Sequence, residues 1–367
     1  MATPLQQLAD RGQSIWIDYL SRRLVKDGDL AGLVEQGVVG VTSNPTIFQG
    51  AIAEGDAYDE QIRELSAEHE DPKELFWLLA RDDIRDACDI LRPVYDRTDG
   101  RDGYVSLEVD PDLAYDAETT ISEARRLHGL VDRPNLFIKI PATEPGLTAI
   151  EETIAGGISV NVTLIFSLER HRAVIEAYMR GIQRLIDGGG DPNKAHSVAS
   201  FFVSRVDTEA DKRLEKLGGH DELRGTLAIA NAKLAYQTFL EVSESDEWKA
   251  LAARGATPQR PLWASTSTKN PAYRDILYVE ELVGPDTVDT MPRDTIDAVL
   301  DHGEIRGDTL LEDVDGARAT LRAFEDAGIS YDDVVQVLEK EGVEKFSKSF
   351  TDLIAGLESK LKALVAA

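Results

Sequence analysis

Eight short runs rich in β-branched and aromatic residues punctuate the chain: SIWIDYL (14–20), VGVTSNP (39–45), YVSLEVD (104–110), NLFIKIP (135–141), SVNVTLIF (159–166), SVASFFVS (197–204), PLWASTS (261–267) and TVDTMP (287–292). Runs of this kind read as strands, and the segments between them are long enough to hold helices. Two of those segments, 72–91 and 168–186, carry apolar residues at amphipathic helical spacing. Strand alternating with helix implies parallel pairing, because a parallel return needs a long crossover. An open doubly wound sheet is the rival, but eight units favour an α/β fold closed as a single (β/α)8 TIM barrel with extra helices. No Gly/Ser/Pro-rich linker divides the 367 residues, so one barrel domain over 1–367 is expected, with helical insertions near 46–100 and 206–260. Near 345–365, Phe346, Phe350, Leu353, Ile354, Leu357 and Leu361 fall at helical spacing. This stretch is read as a helix closing the outer layer, with a lid over the barrel mouth as the alternative.

Side chains alternate across a strand, so residues two apart share a face. In NLFIKIP, Leu136, Ile138 and Ile140 form one side and Phe137 and Lys139 the other. The aliphatic side should face the helices, which turns Lys139 inward near the carboxyl end of its strand, where barrel enzymes assemble their sites. The same test places Ser106 and Glu108 inward opposite Val105, Leu107 and Val109, and Asn161 and Thr163 inward opposite Val160, Val162 and Leu164. Asp18 shares a face with Trp16, Thr42 with Asn44, and Ser200 with Phe202 and Ser204. Any one of these reads equally well as a hydrogen-bonded interior residue. Together they point to a binding cavity, because a barrel packed only for stability fills with Val, Ile and Leu.

Composition narrows the classes. With 42% hydrophobic and 29% charged residues the chain is an ordinary globular one. Forty Lys and Arg against 67 Asp and Glu give a formal charge of −27, which argues against nucleic-acid or anionic-membrane partners. An anionic ligand must therefore find its positive contacts locally. The single cysteine, Cys88, allows no internal disulfide, and no signal segment or long apolar run is evident, so a cytoplasmic protein is expected. No metal-ligand spacing or Walker-type loop appears, and neither metal nor organic cofactor is expected.

Lys139 has three open roles: ion-pair partner of Glu108 or Asp18, phosphate contact, or nucleophile. Nucleophilic use needs an uncharged amine. An ordinary lysine, with a pKa of ~10.4, is neutral in only about one molecule in 2,500 at pH 7, and bringing that value to ~7 corresponds to roughly 4–5 kcal/mol. A neutral amine among polar groups suits attack on a ketone or aldehyde, giving an iminium that accepts electrons from a breaking C–C bond. The proton transfers involved require positioned carboxylates or water, and Glu108 and Asp18 supply the carboxylates.

WIDYL, VTSNPTIF, SLEVDP, IKIPAT, NVTLIFS and SFFVSR, in this order, closely resemble the transaldolases, and the later ASTSTKNPAY and GPDTVDTMP resemble their longer bacterial and plant-type branch. The resemblance spans nearly the whole chain. It implies a Schiff base between Lys139 and a keto sugar, with Asp18 as general acid/base and Glu108 and Thr163 holding a proton-shuttling water. Asn44 and Asn161 would bind hydroxyls of a dihydroxyacetone unit, with Ser200 and Thr42 as further contacts. Implied substrates are sugar phosphates of the pentose phosphate pathway, handled by a monomer or homodimer. Arg205 matches the family's phosphate-binding arginine. Shorter members carry another arginine after the seventh strand, whereas here Lys269 is the nearest cation, phosphate contact or solvated surface lysine. Backbone amides from Ser267 to Asn270, at an expected helix start, would assist. Phe202 and Glu108 replace the tyrosine and glutamine of related fructose 6-phosphate aldolases, which implies transfer rather than release of dihydroxyacetone.

Overall fold

The computed structural model describes residues 2–53 and 55–366. Its strands are β1 (Gln13–Asp18), β2 (Val38–Thr42), β3 (Val105–Glu108), β4 (Leu136–Pro141), β5 (Val160–Ile165), β6 (Ser197–Phe202), β7 (Arg260–Ala264) and β8 (Thr287–Met291). Each pairs in parallel with the next, and β1 also pairs with β8, so the sheet closes into the predicted barrel. The 46–100 segment holds helices Pro45–Ala53, Asp59–Ser66 and Pro72–Arg97, and the 206–260 segment holds most of Ser204–Leu217 together with Leu227–Ser243 and Asp246–Ala252. Helix starts follow local chemistry: the side chains of Asp71, Thr143 and Ser167 each accept a backbone N–H in the first turn that follows them.

The barrel is plugged at the amino ends of its strands. Tyr104 stacks on Phe137 with ring centroids 4.0 Å apart, and Trp16 lies 6.0 Å from Phe137. Gly40 makes room for that indole, since a Cβ there would come within 2.4 Å of the Trp16 ring. Beside the aromatics, Arg260 pairs with Asp102 at 2.9 Å and donates to Ser14 Oγ at 2.8 Å. Because Phe137 belongs to this plug, Lys139, two residues on and on the same face, is lifted toward the open end.

Three expectations are corrected. Leu164 does not continue the outward aliphatic row: the β5–β6 register slips between Val162 and Ile165, and Leu164 adopts a left-handed φ of 60°. The bulge re-aims its side chain toward the C-terminal helix. That helix is longer than expected, Tyr331–Ala366, and it crosses the barrel mouth instead of closing the outer layer. Its apolar stripe packs on the 46–100 insertion, where Phe350 meets Phe76 at 5.6 Å and Thr46 donates to Ser349 at 2.9 Å. At its far end Lys360 donates to the Ile52 and Gly55 carbonyls and pairs with Asp59 at 2.8 Å. Lastly, Ser204 leaves the strand pattern to open a helix, its hydroxyl 2.8 Å from that of Ser265.

Candidate active site

A cavity of about 670 Å³ opens at the carboxyl ends of the strands, a size suited to a small ligand. Lys139 forms its floor. The Nζ donates to Glu108 Oε2 at 3.0 Å and to the Ser43 carbonyl at 3.0 Å, with the Phe346 ring centroid 5.5 Å away. Strand register brings these groups together, for Glu108, Lys139 and Asn161 lie side by side across β3, β4 and β5.

Asp18 ends β1 beside Thr42, which ends β2. Thr42 Oγ1 donates to Asp18 Oδ1 at 2.6 Å, and since a hydroxyl has one proton, it accepts from Thr290 Oγ1 at 2.7 Å. Burial holds the Asp18 carboxyl above the ordinary carboxylate range, opposed by Lys139, the Thr42 hydrogen bond, Arg205 and Lys269. Glu108 is raised for the same first reason, with Lys139 again the main opposing charge. Ser200 donates to Asn161 Oδ1 at 2.7 Å, and Asn161 donates to Ser106 Oγ at 3.1 Å. Thr163 Oγ1 is buried on the cavity wall and finds no hydrogen-bond partner among the described residues, which leaves it for a ligand or water. Asn44 Oδ1 accepts the Ile47 N–H at 3.1 Å, so its amide nitrogen is the group left for a ligand.

Of the residues singled out in the sequence, Asp18, Thr42, Asn44, Lys139, Thr163, Ser200, Phe202, Arg205, Ser267 and Lys269 line the cavity. Glu108 and Asn161 sit beneath it, reaching the surface through Lys139 and Ser200. Arg205 packs its guanidinium 4.8 Å from the Phe202 ring and 5.7 Å from Phe346, and makes no hydrogen bond or ion pair among the described residues. Burial draws its guanidinium below the ordinary value, against the pull of Asp18 and Glu108. Lys269 donates to Ser267 Oγ at 2.7 Å. The helix expected to start at 267–270 is absent: 265–276 is a loop, and the next helix begins at Leu277. Asn270 Oδ1 takes the Ala272 N–H at 3.0 Å in a tight side-chain turn, and Tyr273 OH donates to Asp211 at 2.5 Å, which ties the loop down in a non-helical path.

Four contributors escaped sequence reasoning. Ser43 acts through its carbonyl, which no residue type announces. Thr290 carried the same alternation signal as the others, on β8. Lys345 and Phe346 reach the cavity from the C-terminal helix, and only the lid alternative pointed to them.

Fold and site together define a class: a closed parallel barrel with a buried amine at the bottom of a polar cavity whose wall carries cations, Arg205 and Lys269, that form no ion pair among the described residues. A sequence model of the family described as transaldolase/fructose-6-phosphate aldolase matches residues 15–357. The chain is 57% identical over 366 residues to the "Transaldolase" of Thermobifida fusca, covering 99% of this chain and 100% of that protein. It is 56% identical over 364 residues to the "Transaldolase" of Acidothermus cellulolyticus, with 99% and 98% covered. "Transaldolase 2" of Streptomyces coelicolor is 54% identical over 367 residues, with 99% of each covered. The chain belongs to the transaldolase/fructose-6-phosphate aldolase family.

Proposed function

We propose that the chain is a transaldolase, a transferase of the pentose phosphate pathway that moves a dihydroxyacetone unit from fructose 6-phosphate to erythrose 4-phosphate, or the reverse from sedoheptulose 7-phosphate to glyceraldehyde 3-phosphate. The observation that carries this reading is the Lys139 amine, buried at the cavity floor 3.0 Å from Glu108. Burial holds the Glu108 carboxyl above its ordinary range, which suits it to exchange protons beside the reacting amine.

The amine adds to the C2 carbonyl of the donor, and loss of water gives an iminium. Asp18 takes the proton of the C4 hydroxyl, the C3–C4 bond breaks, and its electron pair enters the iminium to form an enamine while glyceraldehyde 3-phosphate departs. The enamine carbon then attacks the aldehyde of erythrose 4-phosphate, Asp18 returns its proton to the new hydroxyl, and water releases sedoheptulose 7-phosphate. Glu108 and Thr163 hold the water that serves the iminium steps. Asn44, Asn161, Ser200 and Thr42 orient the hydroxyls, and Arg205, Lys269 and Ser267 take the phosphate. Phe202 presents no hydroxyl to protonate the enamine, which keeps it for the second aldehyde.

Incubating the protein with fructose 6-phosphate and erythrose 4-phosphate should yield sedoheptulose 7-phosphate and glyceraldehyde 3-phosphate in equal amounts. Steady release of free dihydroxyacetone from fructose 6-phosphate alone would instead make the chain an aldolase.

A further inference from the structure

Resting on that reading, we propose that Lys345, on the C-terminal helix, is a phosphate-recognising residue that completes a three-cation site with Arg205 and Lys269. All three line the same cavity, although they come from a helix start after β6, the loop after β7 and a helix more than seventy residues further along the sequence. None of the three takes part in an ion pair among the described residues, whereas the fourth cation at this wall, Lys212, is bound to Glu209 at 2.8 Å. In a chain with a formal charge of −27, a wall of three unpaired cations is complementary to an anion carrying more than one negative charge. Their mutual repulsion shows in Lys269, whose amine burial first, then Arg205 and Lys345, draw below its ordinary value. A bound phosphate relieves that repulsion.

Position along the helix supports the assignment. Phe346, the next residue, lies 5.5 Å from Lys139 Nζ and 5.7 Å from the Arg205 guanidinium, so this turn spans the distance between the reacting amine and the phosphate end. One turn earlier Gly342 seats the helix on Leu164, where a Cβ would lie 3.0 Å from Leu164 Cδ2. The strained bulge at Leu164 thus sets the height from which Lys345 faces the cavity. The carboxylate nearest in sequence on that face, Glu341, also lines the cavity but forms no ion pair with Lys345.

The test compares the full-length protein with its Lys345→Met and Lys345→Arg variants in two assays. Titration calorimetry with inorganic phosphate should show affinity falling on the order of tenfold in Lys345→Met and recovering in Lys345→Arg, the size of one lost charge-assisted contact. In kinetics, KM for fructose 6-phosphate should rise by a similar factor while kcat changes little. The ratio of kcat/KM for fructose 6-phosphate over unphosphorylated fructose should fall about tenfold. Unchanged phosphate affinity, or equal losses with the two ketoses, would overturn the assignment and leave the transfer reading intact. Weakened phosphate binding in Lys345→Met, in a protein that transfers nothing, would uphold the assignment and sink the transfer reading.

Discussion

In the proposed mechanism Lys139 and Asp18 divide the chemistry, and their surroundings differ accordingly. The lysine amine has a carboxylate and a backbone carbonyl as partners, each at 3.0 Å, whereas the half-buried Asp18 carboxyl has, among the described residues, a single hydrogen bond, from the Thr42 hydroxyl at 2.6 Å. As a base Asp18 acts ionised, and burial raises its pKa, so the acid limb of kcat/KM should lie above the ordinary carboxylate range, near 4. Activity falls as pH drops through that raised value. Asp18→Asn should lower kcat by about 10²–10⁴ while leaving the iminium able to form, which stopped-flow kinetics and borohydride reduction of the variant would separate. Much of this residue set was legible beforehand. Alternation in NLFIKIP and YVSLEVD turned Lys139 and Glu108 inward because aliphatic neighbours leave the other face no alternative. The Ser43 carbonyl was not legible, since a backbone oxygen has no residue signature, and Leu164 was misread because nothing in SVNVTLIF marks a bulge.

Among the elements, the C-terminal helix Tyr331–Ala366 contributes Leu338, Glu341, Gly342, Lys345 and Phe346 to the cavity wall. An apolar stripe announced a packed helix, but a stripe says only that a face is covered and not by what. Its placement depends on long-range partners: Tyr331 OH accepts from Leu168 N at 3.0 Å and donates to Asn231 at 2.7 Å at one end, while Lys360 binds the 46–59 region at the other. Between these anchors Gly342 packs against Leu164 at the barrel rim. Glycine inside a helix costs roughly 0.5–1 kcal/mol relative to alanine, so its presence is explained by the contact with Leu164. Gly342→Leu should lift the helix from the rim, lower kcat/KM at least tenfold and make residues near 342 susceptible to limited proteolysis. Unaltered kinetics and an unaltered cleavage pattern would mean that the helix does not need this seat.

At the level of the whole molecule, the barrel was readable because eight strand-like runs separated by helix-length segments admit few closed arrangements, and the parallel order follows from the crossovers. The loop after β7 was not readable, since its path is set by Tyr273 reaching Asp211. The fold also carries a pH liability outside the site. Asp289 on β8 is buried, accepts one hydrogen bond, from Thr266 at 2.8 Å, leaves Oδ2 without a partner among the described residues, and has its pKa raised by burial to about 7. Buried Asp207 is raised to about 7 as well. A carboxyl whose folded value exceeds its unfolded one contributes stability that is fully present below the unfolded value of 3.8 and is lost as pH rises through about 7. For Asp289 that loss amounts to about 4 kcal/mol, so Asp289→Asn should narrow the difference in melting temperature between pH 5 and pH 8, measured by calorimetry. An unchanged difference would place Asp289 outside the titrating set. Chemical trapping tests the nucleophilic role of Lys139 most directly: the protein is incubated with fructose 6-phosphate, reduced with borohydride, digested and mapped by mass. A reduced adduct is expected on the peptide containing Lys139 and none in Lys139→Arg, whereas an adduct on another lysine, or transfer without any adduct, would contradict the Schiff-base role of Lys139.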